Sequence, residues 1–167
     1  MKKTNLIIFI LILFISNKSS SQFIRGAIEN EIYINIDYYW DTCSHYALFY
    51  SGDNGHTLQT KYEYNYLPQG NPSLGEIISD VLPGVLYNIP VAQSDFMISY
   101  DYGASWELRE VIPANGRFFC GSVPGEIFHC SFSSQGYLMR SADYAQNFDT
   151  INNNVKYIFC IKKIRNI

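Results

Sequence analysis

Short apolar runs in this chain break off, three times over, into clusters of turn-forming residues. Leu48-Phe49-Tyr50 leads into Ser51-Gly52-Asp53-Asn54-Gly55-His56-Thr57-Leu58. Phe96-Met97-Ile98 leads into Ser99-Tyr100-Asp101-Tyr102-Gly103-Ala104-Ser105-Trp106. Leu138-Met139-Arg140 leads, more loosely, into Ser141-Ala142-Asp143-Tyr144-Ala145-Gln146-Asn147-Phe148. Each cluster reads Ser-x-Asp-x-(Gly or Ala)-x-x-(apolar or aromatic), and the copies start 48 and 42 residues apart, at 51, 99 and 141. An apolar run entering turn formers predicts a strand feeding a hairpin. The aspartate can accept hydrogen bonds from nearby backbone N–H groups and fold the loop on itself. Glycine two positions later allows the positive φ of a tight connection, and the aromatic begins the return strand.

A second echo carries the same period. Leu82-Pro83-Gly84-Val85-Leu86-Tyr87 lies 17 residues before Ser99, and Val123-Pro124-Gly125-Glu126-Ile127-Phe128 lies 18 before Ser141. Pro-Gly signals a turn, and an apolar strand follows it. Glu31-Ile32-Tyr33 is the equivalent strand start for the first copy, with about five additional residues before its cluster. Stretches 76–79 and 117–120 supply a preceding strand. Each unit therefore reads as four antiparallel strands, and a period of this length predicts β units stacked side by side.

The clusters resemble Asp-boxes, the short repeats of bacterial neuraminidases, sortilin-type receptors and many secreted β-propeller proteins. The resemblance implies an all-β fold of about three four-stranded antiparallel blades, a partial β-propeller-like array. It places each box between the third and fourth strands of a blade, away from the ligand-binding end of the axis. Ser51, Asp53, Gly55, Ser99, Asp101, Gly103, Ser141 and Asp143 would then organise loops, and Trp106 and Phe148 would be wedges between blades.

The first residues carry a separate signal. Lys2 and Lys3 precede an apolar run from Leu6 to Ile15, and Ser19-Ser20-Ser21 follows. That is the layout of a secretory signal peptide, shorter than a membrane span. The expected organisation is a leader over 1–21 and one β-repeat domain over 22–167, secreted, periplasmic or held at the cell surface, with no membrane span in the mature chain. Charged residues are 16% and aromatics 16%, the formal charge is −3, and no basic cluster points to nucleic acid.

In an exported chain Cys43, Cys120, Cys130 and Cys160 suggest one or two disulfides, with three connectivities open. Cys120–Cys130 across a hairpin and Cys43–Cys160 between early and late units is one pairing. No Cys-x-x-Cys occurs and His45, His56 and His129 do not cluster, so neither a metal nor another cofactor is expected.

The resemblance to neuraminidases raises a glycosidase, whose family uses an arginine triad, a tyrosine–glutamate pair and an acid/base aspartate. The arginines here are Arg25, Arg109, Arg117, Arg140 and Arg165, of which Arg109 and Arg140 flank boxes. No other nucleophile or phosphate motif is present. The expectation is a non-enzymatic protein presenting loops to a protein or glycan partner. The alternatives are a truncated sialidase-like remnant and a structural subunit of an extracellular assembly. Tyr38, Tyr39 and Trp40, bracketed by Asp37 and Asp41, are the candidate binding residues, since aromatic rings stack on sugars and anchor protein partners. Tyr62, Tyr64 and Tyr66 alternate along a strand and are expected to pack on the next blade. Three blades leave strand edges and apolar faces open, so further blades or a homo-oligomer are expected to complete the array.

Overall fold

The computed structural model describes residues 19–40, 43–66, 75–89, 95–111, 116–131 and 136–152. They form twelve strands and no helix, in three four-stranded antiparallel sheets of the same up-and-down plan. Blade 1 contains β1 (Ser19–Arg25), β2 (Ile32–Trp40), β3 (Cys43–Ser51) and β4 (Gln59–Tyr66). Blade 2 contains β5 (Glu76–Ser79), β6 (Leu86–Ile89), β7 (Asp95–Ser99) and β8 (Glu107–Val111). Blade 3 contains β9 (Gly116–Cys120), β10 (Ile127–Ser131), β11 (Leu138–Ser141) and β12 (Asp149–Asn152). The expected architecture of three four-stranded blades is the observed one. β1 begins at Ser19, and its residues 19–21 pair with Tyr38, Asp37 and Ile36. A leader removed after Ser21 would therefore take three residues from this strand.

The blades stack through their apolar faces. Ile24, Tyr33 and Leu48 of blade 1 meet Ile77 and Leu86 of blade 2 in one buried cluster. Tyr87, Phe96 and Ile98 of blade 2 meet Phe118, Ile127 and Ala145 of blade 3 in a second. Burying a side chain of this size contributes about 1.5–3 kcal/mol, so each seam is a core in its own right. First strands lie side by side, β1 against β5 and β5 against β9. At the first of these contacts the Gln22 side chain acts as a strand of one residue. Its Nε2 donates to the Ile77 carbonyl at 2.7 Å, and its Oε1 accepts from the Ile77 N–H at 2.9 Å. Asn35 Nδ2 adds a bond to the Gly75 carbonyl (3.0 Å), and the Gly75 N–H donates to Asn88 Oδ1 (2.9 Å).

One pairing read from sequence is corrected. β9 and β10 are antiparallel neighbours as expected, but Cys120 faces Ile127 and Cys130 faces Arg117. The two cysteines sit at opposite ends of the hairpin, and a bridge needs Cα atoms within about 7 Å. They are not joined to each other. The Cys43 side chain and Cys160 lie outside the described residues.

Candidate functional site

The three boxes fold alike down to single bonds. In the first, Ser51 Oγ donates to Asp53 Oδ1 (2.7 Å) and accepts from the N–H of Asp53 (3.2 Å) and of Gly55 (2.8 Å). Asp53 Oδ1 takes the Thr57 N–H (2.8 Å), and Oδ2 takes the Thr57 hydroxyl (2.7 Å). Ser99–Asp101–Ser105 repeats every one of these bonds, and Ser141–Asp143–Asn147 does so with the amide Nδ2 in place of a hydroxyl. The seventh position, Thr57, Ser105 or Asn147, thus closes the loop on the aspartate. Sequence reading left it unassigned, although all three residues there carry a donor.

The residue after each aspartate and the next one are both left-handed: Asn54 and Gly55 (φ 57° and 82°), Tyr102 and Gly103 (63° and 86°), Tyr144 and Ala145 (60° and 60°). Ala145 accepts this conformation although it is not glycine, which is why the loosest box keeps the shape of the others.

These bonds set the charge state of the loops. The Asp53 carboxyl is held down at about 2 by the Thr57 N–H, the Ser51 hydroxyl and the Thr57 hydroxyl. Burial, the largest influence on Asp101 and Asp143, pushes them up. The combined hydrogen bonds of Ser105 and Ser99, and of Asn147 and Ser141, outweigh it and leave both lowered. The box aspartates are ionised, with both oxygens engaged inside their own loops. Ser99, which is buried, serves two N–H groups and the carboxylate at once. Ser99→Ala leaves those donors without an acceptor and is expected to destabilise by about 1–3 kcal/mol, measured by urea unfolding. A change under 0.5 kcal/mol would contradict that role.

A second set of carboxylates went unrecognised in the sequence. The turn between first and second strands is closed by a backbone bond in every blade: Gly26 N–H to Glu31, Asp80 N–H to Val85, and Gly121 N–H to Glu126. Each of these turns buries one carboxylate, Glu31, Asp80 or Glu126. Glu31 Oε2 caps the N–H groups of Ala27 and Ile28, and its Oε1 accepts the Tyr33 hydroxyl (2.8 Å). Asp80 caps Leu82, accepts the Tyr87 hydroxyl, and reaches into blade 3 to accept the Gly125 N–H at 3.0 Å. Glu126 caps Ser122, and since Phe128 has no hydroxyl, Arg140 takes that place in an ion pair at 2.8 Å. Burial and then the neighbouring carboxylate push the Tyr33 and Tyr87 phenols far above the ordinary range.

The signal was hidden because the acid changes position. In blades 1 and 3 it stands sixth, after a glycine in first place, where a Cβ on Gly26 or Gly121 would overlap the glutamate. In blade 2 it stands first. The turn and the box lie at the same end of each blade and are bonded together, Asn54, Tyr102 and Tyr144 N–H donating to Asn30, Gly84 and Gly125.

Trp106 packs on the cluster between blades 1 and 2. Phe148 meets Phe96 and Phe118 edge-on, with centroids 6.4 and 6.5 Å apart, between blades 2 and 3. Tyr62 packs on the first seam, while the side chains of Tyr64 and Tyr66 lie outside the described residues.

The opposite end of blade 1 differs from its neighbours. β2 and β3 are nine residues each, against four or five in the second and third strands of blades 2 and 3. The additional residues counted in the sequence form this longer hairpin, and its ladder runs on to the Trp40–Cys43 pair. Tyr38, Tyr39 and Trp40 are the last residues of β2, at the end away from the boxes. Their side chains, and residue 41, lie outside the described residues. Asp37, just below them, has its carboxyl raised by burial. Among the described residues no group of His, Cys, Asp or Glu is arranged to hold a metal, and no helix is long and apolar enough to cross a membrane.

No family model and no curated protein matches the chain. Several solved structures are similar to it, two of which illustrate the likeness. One is YCF48 bound to a D1 peptide, with a TM-score of 0.50 and 12% identity over 81% of this chain and 42% of that one. The other is the Niastella koreensis GH74 enzyme, with a TM-score of 0.50 and 16% identity over 78% of this chain and 23% of that one. The chain thus spans less than half of either neighbour. Both are β-propeller proteins, and at this identity the likeness speaks for fold alone. The sheets, their seams and these neighbours together make this a β-propeller-type repeat protein.

Proposed function

We propose that the protein is an exported, non-enzymatic binding scaffold in which the β2–β3 hairpin of blade 1 is the recognition element for a protein or glycan. One observation carries the reading. Among the described residues the second and third strands of this hairpin are nine residues long against four or five in its counterparts, and β2 ends in Tyr38-Tyr39-Trp40. Rigid aromatics with polar tips are the residues that dominate binding hot spots. The boxes support a scaffold role, because their aspartates spend both oxygens on their own loops. In this reading they are Asp-boxes, folding elements without chemistry. The basic start and apolar run of residues 2–15 support export. YCF48, a fold neighbour, is bound to a peptide, which makes an extended peptide one ligand class to try.

The test is binding to glycan and peptide arrays. Trp40→Ala is expected to weaken the leading interaction at least about tenfold, as for a hot-spot aromatic, with the far-UV circular dichroism unchanged. Unchanged binding would mean that the cluster is not the recognition element. Cleavage of an arrayed glycan by the purified protein would favour the glycoside-hydrolase reading, which the GH74 neighbour keeps open.

A further inference from the structure

The face of a blade that receives the preceding blade is filled at its turn end in blades 2 and 3, and open there in blade 1. Three register-equivalent positions carry the contrast. Three residues before the first turn, Ile77 and Phe118 are 0% and 7% exposed, whereas Phe23 is 71% exposed. At the start of the second strand Leu86 and Ile127 are fully buried, whereas Ile32 is half-exposed. At the box, Gly103 and Ala145 are buried and Gly55 is half-exposed.

The knob that fills this site is known from the seams themselves. It is the residue three places before the box serine of the preceding blade. Leu48 sits so tightly on Gly103 that a Cβ there would overlap it, and Phe96 lies in one cluster with Ala145. A Cβ at Gly55 would meet only Ile32 of its own blade, at 3.2 Å. An open cavity of about 440 Å³ adjoins this position, lined by Phe23, Ile32 and Asn54 together with Arg25, Glu29 and Glu31. Farther along this face Ile34, Ile36 and Ala47 are already buried, so the opening is confined to the turn end.

The chain also carries the missing knob. In blade 3 the equivalent of Leu48 and Phe96 is Leu138, and Leu138 is half-exposed where those two are buried. Phe128 is half-exposed beside it, where Tyr33 and Tyr87 are fully buried. Socket and knob are thus the two halves of a contact the molecule already makes twice.

We propose that Leu138 of a second copy enters the Gly55 socket of blade 1, and that the reverse contact joins the two chains head to tail. Such a contact between different faces makes a ring if it closes and a filament if it does not. Two copies bring six of the described blades together, inside the four to eight that propellers use, and three copies would bring nine.

The mass of the full chain in solution, by size exclusion with light scattering at about 10–100 μM, tests this. The expected mass is twice that of the unfolded chain. Leu138→Asp and Phe23→Asp, one on each side of the seam, are each expected to raise the dissociation constant at least 100-fold while circular dichroism and melting remain those of a folded protein. A wild-type monomer at 100 μM would overturn the proposal, as would a dimer that survives both substitutions or a ladder of larger masses. None of these outcomes bears on array binding through Trp40.

Discussion

Gly103→Ala is expected to be among the most damaging single-methyl additions in the molecule, costing about 2–5 kcal/mol. Two separate penalties add. Gly103 has φ 86°, a region where a Cβ costs about 1–2 kcal/mol. The new methyl would also overlap Leu48 Cδ2, and Leu48 is fully buried in the seam between blades 1 and 2 with Leu86 behind it. Overpacking of a filled core costs about 1–3 kcal/mol. Urea unfolding of Gly103→Ala measures the sum. A double-mutant cycle with Leu48→Ala separates the parts, because removing Leu48 relieves the overlap and leaves the backbone term. If the two losses simply add, the methyl does not meet Leu48 and the described seam is wrong. Gly55→Ala supplies the contrast, since the same backbone change meets only Ile32 in the isolated chain.

The second large effect is acid sensitivity through His129. Its ring is fully buried, stacks on Phe118 at 4.4 Å, lies 5.9 Å from the Tyr137 ring, and has no hydrogen-bond partner on either nitrogen among the described residues. Burial lowers its pKa to about 4. The unfolded chain, with an ordinary imidazole near 6.5, binds the proton first. Stability is therefore full above about pH 6.5, falls as the pH drops from there to about 4, and levels off below. Converting the shift gives about 3 kcal/mol across that window. His129→Leu is expected to remove this component and, by replacing two unpartnered nitrogens, to stabilise the protein by about 1–2 kcal/mol at neutral pH. Urea unfolding of both proteins at pH 4, 5, 6 and 7 gives the difference curve. Parallel curves would mean that His129 finds a partner for its proton in the folded state.

His129 also shows how position hides a role. It stands where blade 2 has Asn88, opposite Phe118 as Asn88 is opposite Ile77, and near a glycine, Gly116 in blade 3 and Gly75 in blade 2. Asn88 accepts the Gly75 N–H, whereas His129 lies against Gly116 without a bond. Histidine and asparagine share neither size nor charge, so no pattern of residue types connects them. The backbone register does. The buried acids of the turns behave in the same way. Glu31 and Glu126 stand just before the second strand and Asp80 just after the first, so equivalent carboxylates occupy non-equivalent positions.

Local chemistry was decided along the chain itself. A serine, an aspartate two places on, a left-handed pair and a donor at the seventh place close a loop through bonds that span four residues at most. Box positions, the Pro-Gly turns, the strand starts and the count of three blades follow from such short-range bonds, and the additional residues of the β2–β3 hairpin could be counted before they were placed. Contacts across blades were decided only by tertiary structure: which face of each strand meets a neighbour, Gln22 clamping Ile77 and Asp80 crossing to Gly125; within blade 3, the strand register decided the separation of Cys120 from Cys130. The physical reason is that a strand shows two faces with a period of two, and sequence alternation says that one is apolar without saying what it touches. Burial is a property of the assembled seam, so Phe23 and Phe118 read alike in the sequence and part company only when a preceding blade covers one of them.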